Sequence, residues 1–265
     1  MLSPEQIATI ADELAAAERD RAEIPLLTAR HPEMTIEDSY AVQNEWRRRG
    51  IEAGRRPVGR KIGLTSKVMQ AATGITEPDY GAIFSDMVFE SGSVIEHGQF
   101  TGVRIEVELA FVLGHAITGG SNGSGATIFD VLRATEYVVP ALEVLSSRIA
   151  MKGRTIVDTI SDNAAMGAMV YGGNPTAPDA VDLRWVSALL YRNETIEESG
   201  VAAAVLNHPA MGVAWLANKL AQHGDRLEAG EIVLAGSFTR PIWVDKGDTV
   251  LADYGPMGTV SCRFA

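Results

Sequence analysis

Residues 103–113 read Val-Arg-Ile-Glu-Val-Glu-Leu-Ala-Phe-Val-Leu, with an apolar residue at every odd position. Alternation with period two predicts a strand and requires a fold in which one face of that strand is packed. Arg104, Glu106 and Glu108 share the opposite face, where side chains two apart start roughly 7 Å from each other. Two carboxylates so placed repel unless positive charge sits between them. A hard divalent cation such as Mg²⁺ satisfies them with oxygen ligands. A solvated face with Arg104 as partner is the more ordinary arrangement for a carboxylate-rich strand, and these eleven residues alone do not require the metal.

The first 58 residues read as helical. Ser3-Pro4-Glu5-Gln6 supplies an N-cap, a proline at the first helical position and a capping-box Gln, followed by Ile7, Ile10 and Leu14 at helical spacing. A second helix is predicted from Thr35, with Asp38 three residues on, Ile36, Tyr40 and Trp46 on its apolar face and Gly50 at its end. After Gly59 short apolar runs alternate with Gly, Pro, Asn and Asp turns, at 59–65, 81–89, 103–113, 136–145, 165–171, 183–192, 230–236 and 248–253, and Thr259–Phe264 reads as a terminal strand. Helices are predicted at Thr127–Thr135 and at about Pro209–Gln222, the latter capped by Asn207 or His208. The rhythm of a doubly wound fold is absent, so the expected class is α+β, with one domain spanning 1–265. Gly119–Gly125 lacks the ending of a phosphate loop and reads as a flexible connection.

Charge and cysteine usage exclude several functions. The net charge is −11, and the longest basic run, Arg47-Arg48-Arg49, closes an amphipathic helix, which argues against nucleic-acid binding. The single cysteine, Cys262, excludes an internal disulfide and a cysteine-based zinc site, and reads as a packing residue. No apolar run approaches the ~20 residues of a membrane span, and the start of the chain has no signal-peptide pattern, so a cytoplasmic, non-membrane protein is expected. The five histidines show no ligand spacing, and no Gly-x-Ser-x-Gly elbow is present.

Glu143 is a lone carboxylate in the apolar run 138–145; a metal ligand role and pairing with Arg148 are both open. Lys61 sits between Gly59 and Gly63, where backbone approaches something closely; an acid, base or carbonyl-polarising role stands beside that of a solvated lysine. Glu77-Pro-Asp-Tyr-Gly81 is a turn by composition, in which Asp79 caps the turn or orients a water. In Thr159-Ile-Ser-Asp-Asn163, Asp162 and Asn163 are turn residues and Ser161 is a candidate to bond a substrate carboxylate.

Taken in order, 59–67, 77–81, 104–111, 140–143, 160–163 and the tail from Gly236 resemble the hydratase/decarboxylase branch of the fumarylacetoacetate hydrolase superfamily. The resemblance covers nearly the whole chain. It implies a mixed β-roll or barrel with surrounding helices and a helical N-terminal region. It places Mg²⁺ or Mn²⁺ on Glu106, Glu108 and Glu143, catalytic roles on Lys61 and Asp79, and contacts to the substrate's 1-carboxylate on Ser161 and on backbone amides near Leu64. Arg240, in Gly-Ser-Phe-Thr-Arg-Pro, is the candidate for a distal carboxylate.

The activity implied is metal-dependent hydration of a 2-oxo-enoate, with the seven-carbon 2-oxohept-4-ene-1,7-dioate of homoprotocatechuate breakdown first. The five-carbon 2-hydroxypenta-2,4-dienoate and the decarboxylation of 4-oxalocrotonate are alternatives on the same first ligands. A non-catalytic scaffold subunit is the alternative from another class. A homo-oligomer built from dimers, and association with a pathway decarboxylase, are further implications of the resemblance.

Overall fold

A computed structural model describes residues 1–66, 70, 77–118 and 125–265; most of the glycine-rich stretch 119–125 lies outside the described residues. Among the described residues thirteen strands form two mixed sheets with helices packed against them, in agreement with the expected α+β class. The larger sheet runs β2 (Asp79–Phe84), β1 (Pro57–Gly63), β10 (Ile232–Leu234), β5 (Arg104–Leu113), β6 (Thr135–Leu145), β7 (Met166–Tyr171), β3 (Val88–Glu90), and β11 (Ile242–Trp243) also pairs with β5. The smaller sheet runs β4 (Ser93–Ile95), β13 (Thr259–Phe264), β12 (Thr249–Asp253), β8 (Ser187–Arg192), β9 (Thr195–Val201).

The alternation in β5 decides which layer meets which. Val103, Ile105, Val107, Leu109, Phe111 and Leu113 enter one core with Leu190, Val250, Val260 and Phe264 of the smaller sheet. The even face turns the other way. Ala110 joins Val139, Ala141 and Met169 in a second core against Ile10 and Leu14 of α1 (Pro4–Asp20) and Trp46 of α3 (Ile36–Glu52). Both faces of the larger sheet therefore carry packed cores, and on the even face of β5 Glu108 is buried while Arg104 and Glu106 are partly buried.

The predicted helix starts are present. Ser3 and Gln6 form a capping box on α1, and Thr35 and Asp38 form one on α3. Thr127 and Asp130 cap α4 (Ile128–Ala134), and His208 caps α6 (Pro209–Ala221) through its ring nitrogen. Cys262 is buried in β13.

Some local readings change. Gly50 lies inside the last turn of α3, and the chain breaks away only at Gly54, where φ is 93°. The Glu77–Gly81 segment does not stay a turn: Asp79 opens β2 and is buried. Two short helices without strong periodicity, α2 (Leu27–Arg30) and α5 (Ile156–Ser161), and the polar edge strand β9 were not evident in the sequence.

Candidate metal centre and active site

The sheet register brings the acidic residues together. Glu106 on β5 is the direct partner of Glu143 on β6, and Glu108 lies two residues further along the same face. Ligand oxygens of Glu106, Glu108 and Glu143 all lie within 4.8 Å of one another. Glu108 and Glu143 are fully buried, so a solvated strand face is excluded. On β1, Lys61 is half of a close pair: its Nζ stands 3.0 Å from Oε1 of Glu143. The alternative partner for Glu143, Arg148, is engaged elsewhere, at 2.5 Å from Asp162.

Asp79 is the register partner of Gly63 across β2 and β1. A Cβ at Gly63 would overlap Oδ1 of Asp79, and one at Gly59 would overlap the carbonyl of Ile232. The two glycines that flank Lys61 thus mark close approaches, to the Asp79 carboxylate and to β10. Beyond β10 the backbone N–H of Gly236 donates to Oε2 of Glu108 at 2.9 Å.

Several buried oxygens here accept no well-aligned hydrogen bond: both of Asp79, both of Glu143, whose Oε1 has only the ion-pair contact with Lys61, and Oε1 of Glu108. Buried polar atoms are normally satisfied, so such a cluster marks a site for something the protein chain does not itself provide. Four carboxylates stand around one ammonium. Burial, then the neighbouring Glu143, pushes the Glu106 carboxyl up to about 7, and burial with repulsion from Glu143 and Glu106 pushes Glu108 well above the carboxylate range. Burial raises Asp79 too, with Glu143 adding to the shift and Lys61 opposing it. Burial alone would lower the Lys61 ammonium, but Glu143, Asp79, Glu106 and Glu108 outweigh it and hold it above the usual lysine value. A divalent cation fits this donor set: all hard oxygen, excess negative charge, and orphaned lone pairs directed into one space.

The cluster opens into a cavity of about 550 Å³, within the range of small-molecule sites. Lys61, Leu64, Asp79, Arg104, Glu106 and Arg154 are among its lining residues. Leu64 has φ of 57°, a left-handed conformation that costs a non-glycine residue about 1 kcal/mol or more. Three successive residues, Asn163, Ala164 and Ala165, the last two lining the cavity, are also left-handed. The Asn163 side chain holds that turn by bonding both the N–H and the carbonyl of Ala82, at 2.7 and 2.9 Å. Asp162 anchors it further by accepting from Arg148 and from Arg154, the latter at 2.6 Å.

Two expected substrate contacts sit differently. Ser161 does not line the cavity. It is the last residue of α5, buried, and its hydroxyl donates to the Val157 carbonyl one turn back at 2.8 Å. The helical register that sequence reading did not foresee turns it away. Arg240 lies on the cavity rim, but its side chain is 78% exposed and its guanidinium pairs with Glu198 of β9 at 2.7 Å. Arg154 and Asp162 were not foreseen in these roles. Arg154 sits in a Lys-Gly-Arg turn with no distinguishing pattern, and Asp162 reads as an ordinary turn aspartate.

Comparison with known proteins identifies the family. The family model "Fumarylacetoacetate (FAA) hydrolase C-terminal" matches residues 64–265. The chain is 55% identical over 261 residues to the 2-oxo-hept-4-ene-1,7-dioate hydratase of Escherichia coli, covering 96% of each. It is 38% identical over 263 residues to the 2-keto-4-pentenoate hydratase of Paraburkholderia xenovorans (strain LB400), covering 99% of this chain and 96% of the relative. The structure of 4-oxalocrotonate decarboxylase from Pseudomonas putida G7, complexed with magnesium and adipate, matches with a TM-score of 0.96 at 34% identity, over 100% of this chain and 99% of that one. With a matching fold, a matching sequence over nearly its full length and an acidic triad suited to a divalent metal, the chain belongs to the fumarylacetoacetate hydrolase family.

Proposed function

We propose that this protein is a metal-dependent hydro-lyase that converts 2-oxohept-4-ene-1,7-dioate to 4-hydroxy-2-oxoheptane-1,7-dioate. The convergence of Glu106, Glu108 and Glu143 within 4.8 Å beside Lys61 carries the reading. The 55% identity to a hydratase named for that substrate supports the choice of reaction. The three glutamates would hold Mg²⁺, with Mn²⁺ the other candidate. Bound there, the ion supplies Lewis acidity toward the 1-carboxylate and 2-oxo oxygens of the substrate.

The remaining steps fall to side chains of this chain. The dienol tautomer gains a proton at C5 and loses the one on its 2-hydroxyl, which gives the conjugated 3-en-2-one. Water then adds across C3 and C4, with hydroxyl to C4 and a proton to C3. Lys61, held protonated by its carboxylate neighbours, is suited to donate a hydrogen bond to the 2-oxo oxygen and to favour the charge that develops there. Asp79, buried beside Lys61 with its carboxylate raised by burial, is suited to take the proton of the attacking water and to return it to carbon. Backbone amides at Leu64 would steady the 1-carboxylate, and the buried walls limit access of bulk water.

On this reading the enzyme would act in the breakdown of aromatic compounds, in the cytoplasm, as a homo-oligomer built from dimers that can associate with a pathway decarboxylase. Among the described residues no helix is long and apolar enough to cross a membrane. The test supplies purified protein and Mg²⁺ with the seven-carbon dienedioate, 2-hydroxypenta-2,4-dienoate and 4-oxalocrotonate in parallel. A 4-hydroxy-2-oxo diacid without CO₂ is expected. Release of CO₂ from 4-oxalocrotonate as the fastest reaction would replace the hydratase reading with the decarboxylase one.

A further inference from the structure

Four cationic side chains line the cavity among the described residues: Lys61, Arg104, Arg154 and Arg240. Three are already matched to carboxylates. Lys61 meets Glu143 at 3.0 Å, Arg154 meets Asp162 at 2.6 Å, and Arg240 meets Glu198 at 2.7 Å. Arg104 is the exception, with no carboxylate at ion-pair distance among the described residues. Its Nη2 reaches only the Ser147 hydroxyl, at 3.2 Å, and the Met151 sulfur, at 3.6 Å. Its Nε is buried and has no hydrogen-bond partner. The guanidinium lies over the Trp243 ring, 5.4 Å from the centroid, on β11, the register partner of this end of β5.

A guanidinium presents five donors in a plane that matches the two oxygens of a carboxylate, and partly burying it with so few partners favours an anion that completes the set. Arg104 also stands at the right place for the far end of an elongated acid. It is two residues from Glu106 on the same face, roughly 7 Å along the strand, and between the triad and the exposed Trp243. A diacid with its 2-oxo end at the triad and its chain along β5 would bring the other carboxylate to this fork. A five-carbon monoacid would leave it unmet.

We infer that Arg104 is the residue that selects dicarboxylic over monocarboxylic substrates, by receiving the distal carboxylate in a charge-assisted hydrogen-bonded pair. Ser147 and Trp243 hold the guanidinium in place from one side and from above. The inference rests on the proposed metal-site reading for the position of the substrate's 2-oxo end, and Arg240, matched by Glu198, is the rival for the distal one.

Binding of adipate and of hexanoate to the Mg²⁺-loaded protein, measured by calorimetry, separates the two without turnover. The two acids share a chain length and differ by one carboxylate. Wild type is expected to favour adipate by at least about tenfold, equivalent to about 1.4 kcal/mol. Arg104→Met should abolish that preference, Arg104→Lys should restore part of it, and Arg240→Met should keep it. A wild type without preference, a preference that survives in Arg104→Met, or one lost in Arg240→Met overturns the inference. Arg104→Lys, which retains the charge, guards against a folding defect in the methionine variant. Turnover of the seven-carbon dienedioate by wild type tests the hydratase reading separately, so failure of one is not failure of the other.

Discussion

The ammonium of Lys61 lies 3.0 Å from Oε1 of Glu143, with side-chain exposures of 3% and 0%. Neither group is appreciably exposed, so each depends on the other and on whatever cation joins the triad. Removing one partner of such a buried pair costs about 3–5 kcal/mol. Lys61→Met should therefore lower the melting temperature of the metal-free protein markedly. Saturating Mg²⁺ should recover much of that loss by neutralising Glu143, while kcat stays about 10²- to 10⁴-fold down, the usual range for loss of an acid–base group. Recovery of activity along with stability would remove Lys61 from the chemistry.

Gly63 separates a stability effect from a catalytic one. A methyl group there would overlap Oδ1 of Asp79 and reach within 3.4 Å of the Lys61 Nζ. Gly63→Ala is expected to swing the Asp79 carboxylate aside and cut kcat by about 10²-fold, the scale associated with misplacement of a catalytic group. Melting curves and Mg²⁺ affinity should change little, because the triad is not displaced. Unchanged kcat in a folded Gly63→Ala protein would argue against any role for Asp79.

Metal binding should depend on pH with a definite sign. In the metal-free protein burial and Glu143 raise Glu106 from 4.5 to about 7, and a ligand carboxylate must give up its proton to bind. Apparent Mg²⁺ affinity is expected to rise as pH increases through about 7 and to release protons on binding. Calorimetry in buffers of different ionisation enthalpy measures both. Glu108→Gln should weaken binding and abolish the thermal stabilisation that Mg²⁺ gives wild type, which amounts to about 2.7 kcal/mol at a hundredfold excess over Kd.

Asp158 ties α2 to α5 beneath the cavity wall. Its carboxylate accepts from the backbone N–H and hydroxyl of Thr28, at 3.1 and 2.8 Å, and from those of Thr155, at 3.0 and 2.9 Å. Burial raises its pKa, but the bonds from Thr28 and Thr155 outweigh it and leave it below 3.8. A depressed carboxylate adds stability above its unfolded pKa, and that stability is lost as pH falls below 3.8 toward the lower folded value. Asp158→Ala should cost about 1–2 kcal/mol near neutral pH, as the loss of a helix cap does. The difference from wild type in chemical denaturation should shrink below pH 3.8; a constant difference across pH would show that the carboxylate charge is not what matters.

The sequence by itself determined which residues could take part. Alternation at 103–113 placed Glu106 and Glu108 on one face of one strand, because strand geometry has a fixed period. The capping boxes at Ser3, Thr35 and Thr127 are local hydrogen-bond patterns and were legible for the same reason. Asp79 was harder, since Pro-Asp-Tyr-Gly has the composition of a turn, and pairing of β2 with β1 overrode that local preference. Ser161 failed because α5 has only six residues, too few for its periodicity to fix a register.

Only the tertiary structure decided what those residues do. Whether the polar face of β5 was wet or buried depended on β1, β6 and the segments that wall the cavity closing around it. Glu143 became the third member through its pairing with Glu106, 37 positions away, a register no local pattern encodes. Which of the cavity arginines remains without a carboxylate was set by contacts as distant in sequence as Arg240 with Glu198 and as close as Arg154 with Asp162. Periodicity assigns a side chain to a face; burial, charge balance and metal-ligand geometry arise only when separate strands and helices close on one another.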